Sequence, residues 1–572
     1  MRIKIINYAL IFIFIFLIFG IFNLEFMQGK KFKDLSNKNC IRLIPQQGSR
    51  GKILDRLGNI LVDNYLSYDV IILPKDKEDI DKALIELSGI LGVSLNDLKD
   101  TFKKGFVAPL SPITVAENID IKKVFTLEEL KSDMGGVIIQ PHPLRYYPYG
   151  RLACHVMGYL NEIDRWRLTK LADYGYKTKD VVGFGGVEEK YDYFLRQDEG
   201  GLSVEVDHKG RFMRVIGFKS PKNGKDLLLS LDLRIQKIVE DSLQDKKGSV
   251  ILMDPYSGEI LAMASSPDFD LSAFVKKTSQ PSISRIFNNP EAPLINRAIS
   301  SSYPAGSIFK LIVATAALET GKINLNTEFI CKGSISIGKQ EFSCWNTHNQ
   351  QNLMQAIPHS CNVFFYRTGL LLGAQVIHDY AVKYAFARAT AIDLPYETNG
   401  FIPSPLWRRV SKFKSWFDGD TANLAIGQGE VLVTPLQVAR MMAVYANKGN
   451  LVTPYIVKTI DGKDVSRYQK KIIRLNIKES NLNYINQALR NTVLYPSGTA
   501  SVLSDLAVSV AGKTGSAQVS GRQPHGWFVG FFPFEKPKFV ICVFLENGGA
   551  GFYSCVIAKQ IIKMMYDQGL ID

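Results

Sequence analysis

The 572-residue chain carries a net charge of +14, yet it contains no basic run interleaved with aromatics and no nucleic-acid-binding motif. That absence removes the partner a basic chain suggests first. A diffusely basic solvated surface, an anionic membrane face or a carboxylate-rich substrate accounts for the excess equally well. The glycine-rich stretch Gly183-Phe-Gly-Gly186 is followed by no Lys-Ser or Lys-Thr pair. It therefore reads as turns in a β-rich domain rather than as a phosphate loop. Nor does a small-x-small cleavage site follow the apolar run Ile5 to Phe22, whose exit reads Phe22-Asn-Leu-Glu-Phe26. As a helix that run extends roughly 27 Å, enough to cross a bilayer core. An uncleaved signal anchor is expected, with the rest of the chain outside the cytoplasm.

Beyond the anchor, Ile53, Ile60 and Leu61 suggest two short strands around a turn at Leu57-Gly58-Asn59. Asp55 and Arg56 read as an ion pair there. Tyr65 to Ile138 is mixed, with a helical pattern at Ile80–Leu91, and reads as an inserted subdomain. Ser249 to Ala264 is the clearest hairpin, two apolar strands joined by Asp254–Gly258. Gly526–Phe532 and Lys538–Glu546 are further strong strands, and Tyr553–Tyr566 reads as a closing helix. The order implies an α+β second domain: an antiparallel sheet whose first and last strands lie far apart in sequence, covered by helices. The expected division is anchor 1–23, a β-rich domain 24–245 and this second domain 246–572.

Three short motifs carry the chemistry. In Ser301-Ser-Tyr-Pro-Ala-Gly-Ser-Ile-Phe-Lys310, Ser307 opens a helix and Lys310 stands three residues on, on the same face. A serine hydroxyl is a poor nucleophile until a base takes its proton, and a desolvated lysine can be that base. Ser360-Cys-Asn362 follows, before an apolar run, and Ala511-Gly-Lys-Thr-Gly-Ser516 closes the set after the alternating segment Leu506–Val510. Each triplet alone is weak. S-x-x-K, S-x-N and K-T-G in that order, on a helix, a loop and a strand, are specific.

With those motifs the chain resembles the class B penicillin-binding proteins, and among them the penicillin-binding protein 2 group of rod-shaped Gram-negative bacteria. The resemblance extends through Gly51-Lys-Ile-Leu-Asp-Arg56, Arg145-Tyr-Tyr-Pro-Tyr-Gly150, His155-Val-Met-Gly158, Ala425-Ile-Gly-Gln-Gly429 and Glu546-Asn-Gly-Gly549. It implies an inner-membrane protein with a single-pass anchor, a pedestal and a periplasmic D,D-transpeptidase that cross-links peptidoglycan stem peptides and is trapped by β-lactams. In that scheme Ser307 is acylated, Lys310 is its base, and Ser360 passes the proton to the leaving amine. Asn362 holds Lys310 and the substrate amide, while Lys513 and Thr514 take the terminal carboxylate. Gly515 lets the strand lie against the substrate, and the N–H groups of Ser307 and Ser516 form the oxyanion hole. The chemistry needs no cofactor. Partners implied by the resemblance are a RodA-type glycan polymerase and an MreC-type scaffold.

Rival functions are a β-lactamase, a D,D-carboxypeptidase and an idle pocket on a pedestal that activates a polymerase. Glu479-Ser-Asn-Leu-Asn483 matches the pattern of a deacylating glutamate, but it lies far from Ser360 in sequence and in a polar stretch. His525 reads as a turn histidine beside Trp527. Trp407 and Trp416, among Arg408, Arg409 and Lys414, border a groove or line a loop.

Seven cysteines are Cys40, Cys154, Cys331, Cys344, Cys361, Cys542 and Cys555, an odd count that leaves at least one without an internal partner. Cys542 reads as a small apolar strand residue. Cys331, Cys344, His348 and Cys361, spaced C-x12-C-x3-H-x12-C, form a Cys3His set suited to structural zinc. The spacing is not a standard finger, so a Cys331–Cys344 disulfide and plain buried thiols stay open beside it. Some members of the resembled group carry a metal site of Asp, Cys and His in this segment.

Overall fold

In the computed structural model, residues 2–33, 41–72, 77–105, 112–130, 134, 136–206, 212–275 and 280–571 are described. Cys40 lies outside them. Helix α1, Arg2–Phe22, continues into a wider turn at Asn23–Met27. The span Ile5–Met27 is exposed along its length and is long and apolar enough to cross a membrane.

The chain forms two compact units that interleave in sequence. The first gathers Met1–Gly51, Asn64–Arg145 and Arg196–Gly224; the second gathers Lys52–Asp63, Tyr146–Leu195 and Lys225–Asp572. Residues 52–63 and 146–195, inside the span expected for the first domain, thus gather with the second unit. Ile53 pairs with Leu227, which draws the Lys52–Asp63 segment into the second unit. In the first unit, Ile41–Gln46, Gly200–Val206 and Phe212–Lys219 make a three-stranded antiparallel sheet. The expected subdomain is there too. Helices Lys77–Leu91, Leu95–Gly105 and Ile121–Leu130 bury Leu84, Leu87, Leu98 and Leu127 with Val70, Ile72 and Ile113.

The second unit is built on five antiparallel strands, β1 Gly248–Met253, β2 Ile260–Ser266, β3 Ala511–Ala517, β4 His525–Phe532 and β5 Phe539–Leu545, in the order β2-β1-β5-β4-β3. Both faces of this sheet are covered, which is why β1 and β5 read as unbroken apolar runs. Alternate residues part cleanly: Ile251 and Met253 join the larger core cluster with Phe309 and Leu311, while Val250 and Leu252 join the other with Ile561 and Ile562. At roughly 1.5–3 kcal/mol for each large apolar side chain, this two-sided burial is the main force holding the unit together. The covering helices include α2 Leu233–Leu243, α3 Lys310–Glu319, α4 Asn362–Leu372, α5 Pro435–Ala446 and α6 Gly551–Asp567. Thr434 caps α5 in a reciprocal capping box with Gln437.

Asp55 and Arg56 do not pair with each other. The Asp55 carboxylate accepts from the backbone N–H groups of Leu57 and Asn59 at 2.9 and 2.8 Å, closing the tight turn, while Arg56 meets Glu259 at 3.5 Å. The segment after Gly183 is helical, Gly186–Lys190, because Gly158 and Gly186 allow backbones to meet; a Cβ on Gly158 would stand 2.0 Å from Gly185 O.

Candidate active site

Ser307 sits in the 3-10 turn Gly306–Phe309 that feeds directly into α3, so the first turn aims its backbone N–H groups outward. The turn is locked from two sides. Gly306 has φ +56°, and a Cβ there would be 3.0 Å from Ser516 O on β3. Its N–H donates to Gly427 O at 2.9 Å, where Gly427, at φ +68°, approaches so closely that a Cβ would lie 2.3 Å from Gly306 O. Only glycine fits either position.

Lys310 is fully buried one turn below. Its Nζ donates to Ser360 O at 2.7 Å and to Asn362 Oδ1 at 2.7 Å, and reaches Ser360 Oγ at 3.3 Å. Burial pulls its pKa down to about 8, against the opposing pull of Cys344 and Cys361. Ser360 itself has φ +51°, the left-handed region that a serine enters only when its surroundings hold it there. Lys513 is equally buried on β3, with Nζ donating to Thr514 O at 3.0 Å. Its pKa is well below the usual lysine value, first through burial and then through the charge of Lys310.

A cavity of about 1010 Å³ opens above the lysines, walled by Ser307, Ser360, Asn362, Thr514 and Ser516. The structure thus gathers the predicted serines, the asparagine and the threonine round one space and sets both lysines beneath it. The strand period explains the division on β3: Thr514 and Ser516 face the cavity, and Lys513 and Gly515 face away from them. Gly515 differs from its expected role, since a Cβ there would meet Ile308 and Trp527 at 3.0 and 3.2 Å, making room for the serine turn rather than for substrate. Strand β3 also starts later than the alternating segment Leu506–Val510 suggests. Thr499 was not foreseen: it lines the cavity and accepts from Thr514 Oγ1 at 2.6 Å, on a loop whose sequence gives no period to read. Trp345, Tyr366 and Gln428 join the wall the same way.

Glu479 begins the helix Glu479–Leu494 and pairs with Lys448 at 3.3 Å; it is not among the cavity's lining residues. His525 opens β4 rather than a turn, accepting from Asn547 N–H at 2.9 Å with its ring against Tyr303 and Phe544. Trp416 donates from Nε1 to Thr421 Oγ1 at 2.8 Å, and Trp407 packs edge-on to Phe401.

The six described cysteines are free thiols. Cys331, Cys344, His348 and Cys361 converge until their ligand atoms all lie within 4.8 Å of one another. His348 Nδ1 is 3.6 Å from Cys331 Sγ and 3.5 Å from Cys344 Sγ. The backbone N–H of Asn362 donates to Cys344 Sγ at 3.2 Å, so this cluster touches the second motif directly. The hydrogen bond from Cys361 pulls the Cys344 thiol strongly down and pushes Cys361 up.

Residues 248–567 match the family model for the penicillin binding protein transpeptidase domain, and residues 45–229 that for the penicillin-binding protein dimerisation domain. The chain is 32% identical over 560 residues to the peptidoglycan D,D-transpeptidase MrdA of Acinetobacter baumannii, covering 94% of this chain and 83% of that one. Among solved structures, the complex between a penicillin-binding protein (PBP2) and MreC from Helicobacter pylori matches with a TM-score of 0.84 at 27% identity, over 93% of this chain and 99% of that one. A peptidoglycan synthase complex described as coordinating polymerization and crosslinking matches at TM-score 0.75 and 28% identity, over 100% and 99%.

Proposed function

The chain belongs to the penicillin-binding protein transpeptidases, and on that premise we propose that Ser307 is the acylated nucleophile of a peptidoglycan D,D-transpeptidase that cross-links stem peptides. Lys310 removes the Ser307 proton as Oγ attacks the carbonyl of a D-alanyl-D-alanine bond. The N–H groups of Ser307 and Ser516 stabilise the oxyanion. Ser360, whose Oγ lies 3.3 Å from Lys310 Nζ, relays the proton to the departing D-alanine amine, leaving an ester on Ser307. The amine of a neighbouring stem peptide then attacks that ester, the new amide forms, and the serine regains its proton. Thr514 meets the donor's terminal carboxylate from the cavity wall, Lys513 supports that wall from behind through Thr514 O, and Asn362 keeps Lys310 in place.

The observation that carries this reading is a fully buried lysine with a depressed pKa, held by both polar residues of the second motif. Intact mass after incubation with penicillin, beside Ser307→Ala, tests it. A single long-lived adduct absent from the variant is expected. No adduct on folded wild-type protein would leave only the idle-pocket role.

The thiol cluster suits zinc. A tetrahedral ion with Zn–S of about 2.3 Å and Zn–N of about 2.0 Å sets S···N edges of about 3.5 Å. The two S···N separations, 3.6 and 3.5 Å, have that length without any rearrangement. Cys331, Cys344, His348 and Cys361 would hold the ion, whose role would be to fix the loop that bears Ser360 and Asn362. Zinc quantification on purified protein checks this, and a protein that is metal-free as isolated overturns it.

On this reading catalysis takes place on the outer face of the bacterial inner membrane, in the periplasm where stem peptides are, and the exposed apolar span Ile5–Met27 supports a single-pass anchor. Partners on this reading are an MreC-type scaffold, supported by the relative solved with MreC, and a RodA-type glycan polymerase, in keeping with the relative solved in a synthase complex that coordinates polymerization and crosslinking. Protease protection of spheroplasts reads the orientation, and co-purification reads the partners.

A further inference from the structure

The loop before β3 and the turn bearing Ser360 form facing walls of the cavity, and one side chain joins them. His359, the residue before Ser360, is half-buried. Its Nδ1 lies 2.8 Å from Gln351 Oε1 and its Nε2 lies 2.9 Å from Ser497 Oγ. The direction of each bond can be worked out. Gln351 Nε2 already donates to His348 O and Gln350 O, both at 2.8 Å, so its Oε1 is the acceptor facing His359. In the neutral imidazole the proton therefore sits on Nδ1, and Nε2 accepts from the Ser497 hydroxyl.

Two residues beyond Ser497, Thr499 donates its N–H to Pro358 O at 3.2 Å and accepts from Thr514 Oγ1 at 2.6 Å. A continuous set of hydrogen bonds thus runs from Gln351 through His359 and Ser497 to the loop that meets the K-T-G strand. The same stretch contains the strained Ser360, whose carbonyl holds Lys310 Nζ. Trp345 Nε1 donates to His359 O at 3.0 Å, anchoring the turn from the cavity rim.

We propose that His359 is a positioning residue for the transpeptidase reaction: its bridge between Gln351 and Ser497 fixes the Ser360 turn against the Ser497–Thr499 loop, and so sets where Ser360 O holds Lys310. A left-handed serine relaxes unless its neighbours constrain it. The Thr499 N–H ties the turn to the loop at Pro358 O, and the His359 bridge is the second tie, one residue from Ser360. Its effect falls on the chemical step, because what moves when it is lost is the base, not the wall that meets the carboxylate.

The inference rests on the acyl-serine reading, so the experiment measures β-lactam acylation by stopped-flow, resolving the limiting acylation rate from the apparent dissociation constant. His359→Leu and Ser497→Ala are each expected to lower the limiting rate by about tenfold with the dissociation constant little changed. The double variant is expected to be no slower than either single variant, since both cut one bridge. His359→Gln, which keeps an acceptor for Ser497, restores most of the rate. Ser497 is exposed, so its alanine variant stays folded even where His359→Leu does not. Because His359 stacks on His348, with ring centroids 5.6 Å apart, zinc content is measured on every variant. Wild-type rates in both single variants, multiplicative losses in the double variant, or a loss that follows zinc content would each overturn the proposal. A wild-type protein that is never acylated would instead refute the acyl-serine reading.

Discussion

The pH dependence of acylation is the most direct check on Lys310 as the base. Burial lowers its pKa from 10.5 to about 8. At pH 7 an unperturbed lysine is neutral in roughly one molecule in 3,000, whereas one with a pKa near 8 is neutral in about one in ten. The neutral fraction at pH 7 is therefore about 300-fold larger, offset in part by the weaker basicity of an amine of lower pKa. The sign is set by which form reacts: only the neutral amine accepts the Ser307 proton, so the rate must rise with pH and level off above the pKa. The perturbation is pH itself, from 6 to 9.5, with Lys310→Arg as a side chain of fixed charge. Single-turnover acylation by a β-lactam with no ionisation in that range is the assay. The limiting rate is expected to climb about tenfold per unit below pH 8 and to flatten above it, with no measurable acylation in Lys310→Arg. A flat profile between pH 6 and 8, or a midpoint near that of an ordinary exposed lysine, would refute the reasoning.

Other consequences are open to measurement. Gly427→Ala places a methyl 2.3 Å from Gly306 O at a backbone φ of +68°, so a loss of stability of about 2 kcal/mol or more and a slower acylation are expected, read by denaturant titration and by adduct formation. Cys344→Ala removes one of the four proposed zinc ligands and the acceptor of the Asn362 N–H, so zinc content and thermal midpoint should both fall, and chelator should reproduce the drop in wild type. Glu479→Gln should leave the lifetime of the acyl-enzyme unchanged within about twofold, because its partner is Lys448 and a surface pair of this kind contributes little. A shortened or lengthened ester lifetime in that variant would reopen a hydrolytic role.

What the sequence made legible was whatever rests on period and order. The hairpin Ser249–Ala264, the strands near the C-terminus and the closing helix all follow from apolar runs bounded by turn residues, and a two-faced core needs nothing more specific. The three motifs were legible because their chemistry fixes residue type at short spacing. What stayed hidden depends on backbones meeting across long separations. Gly515 looks from sequence like a residue cleared for substrate, yet the space it leaves is taken by Ile308 and Trp527, over 200 positions away for the first. Asp55 and Arg56, adjacent in sequence, point to different partners because a tight turn claims the carboxylate first. Thr499 and His359 sit in loops without periodicity, so no local rule selects them from the other hydroxyls and imidazoles. The Cys3His set falls between these cases. Its residue types were visible, but the convergence depends on the Phe329–Cys331 and Asn349–Gln351 strands pairing, with Cys331 opposite Asn349. That pairing brings Cys331 to His348, and the turn after Ile357 brings Cys361 to both. The turn that closes this cluster is the one that strains Ser360, so thiols and second motif are tied together through geometry that no spacing rule encodes.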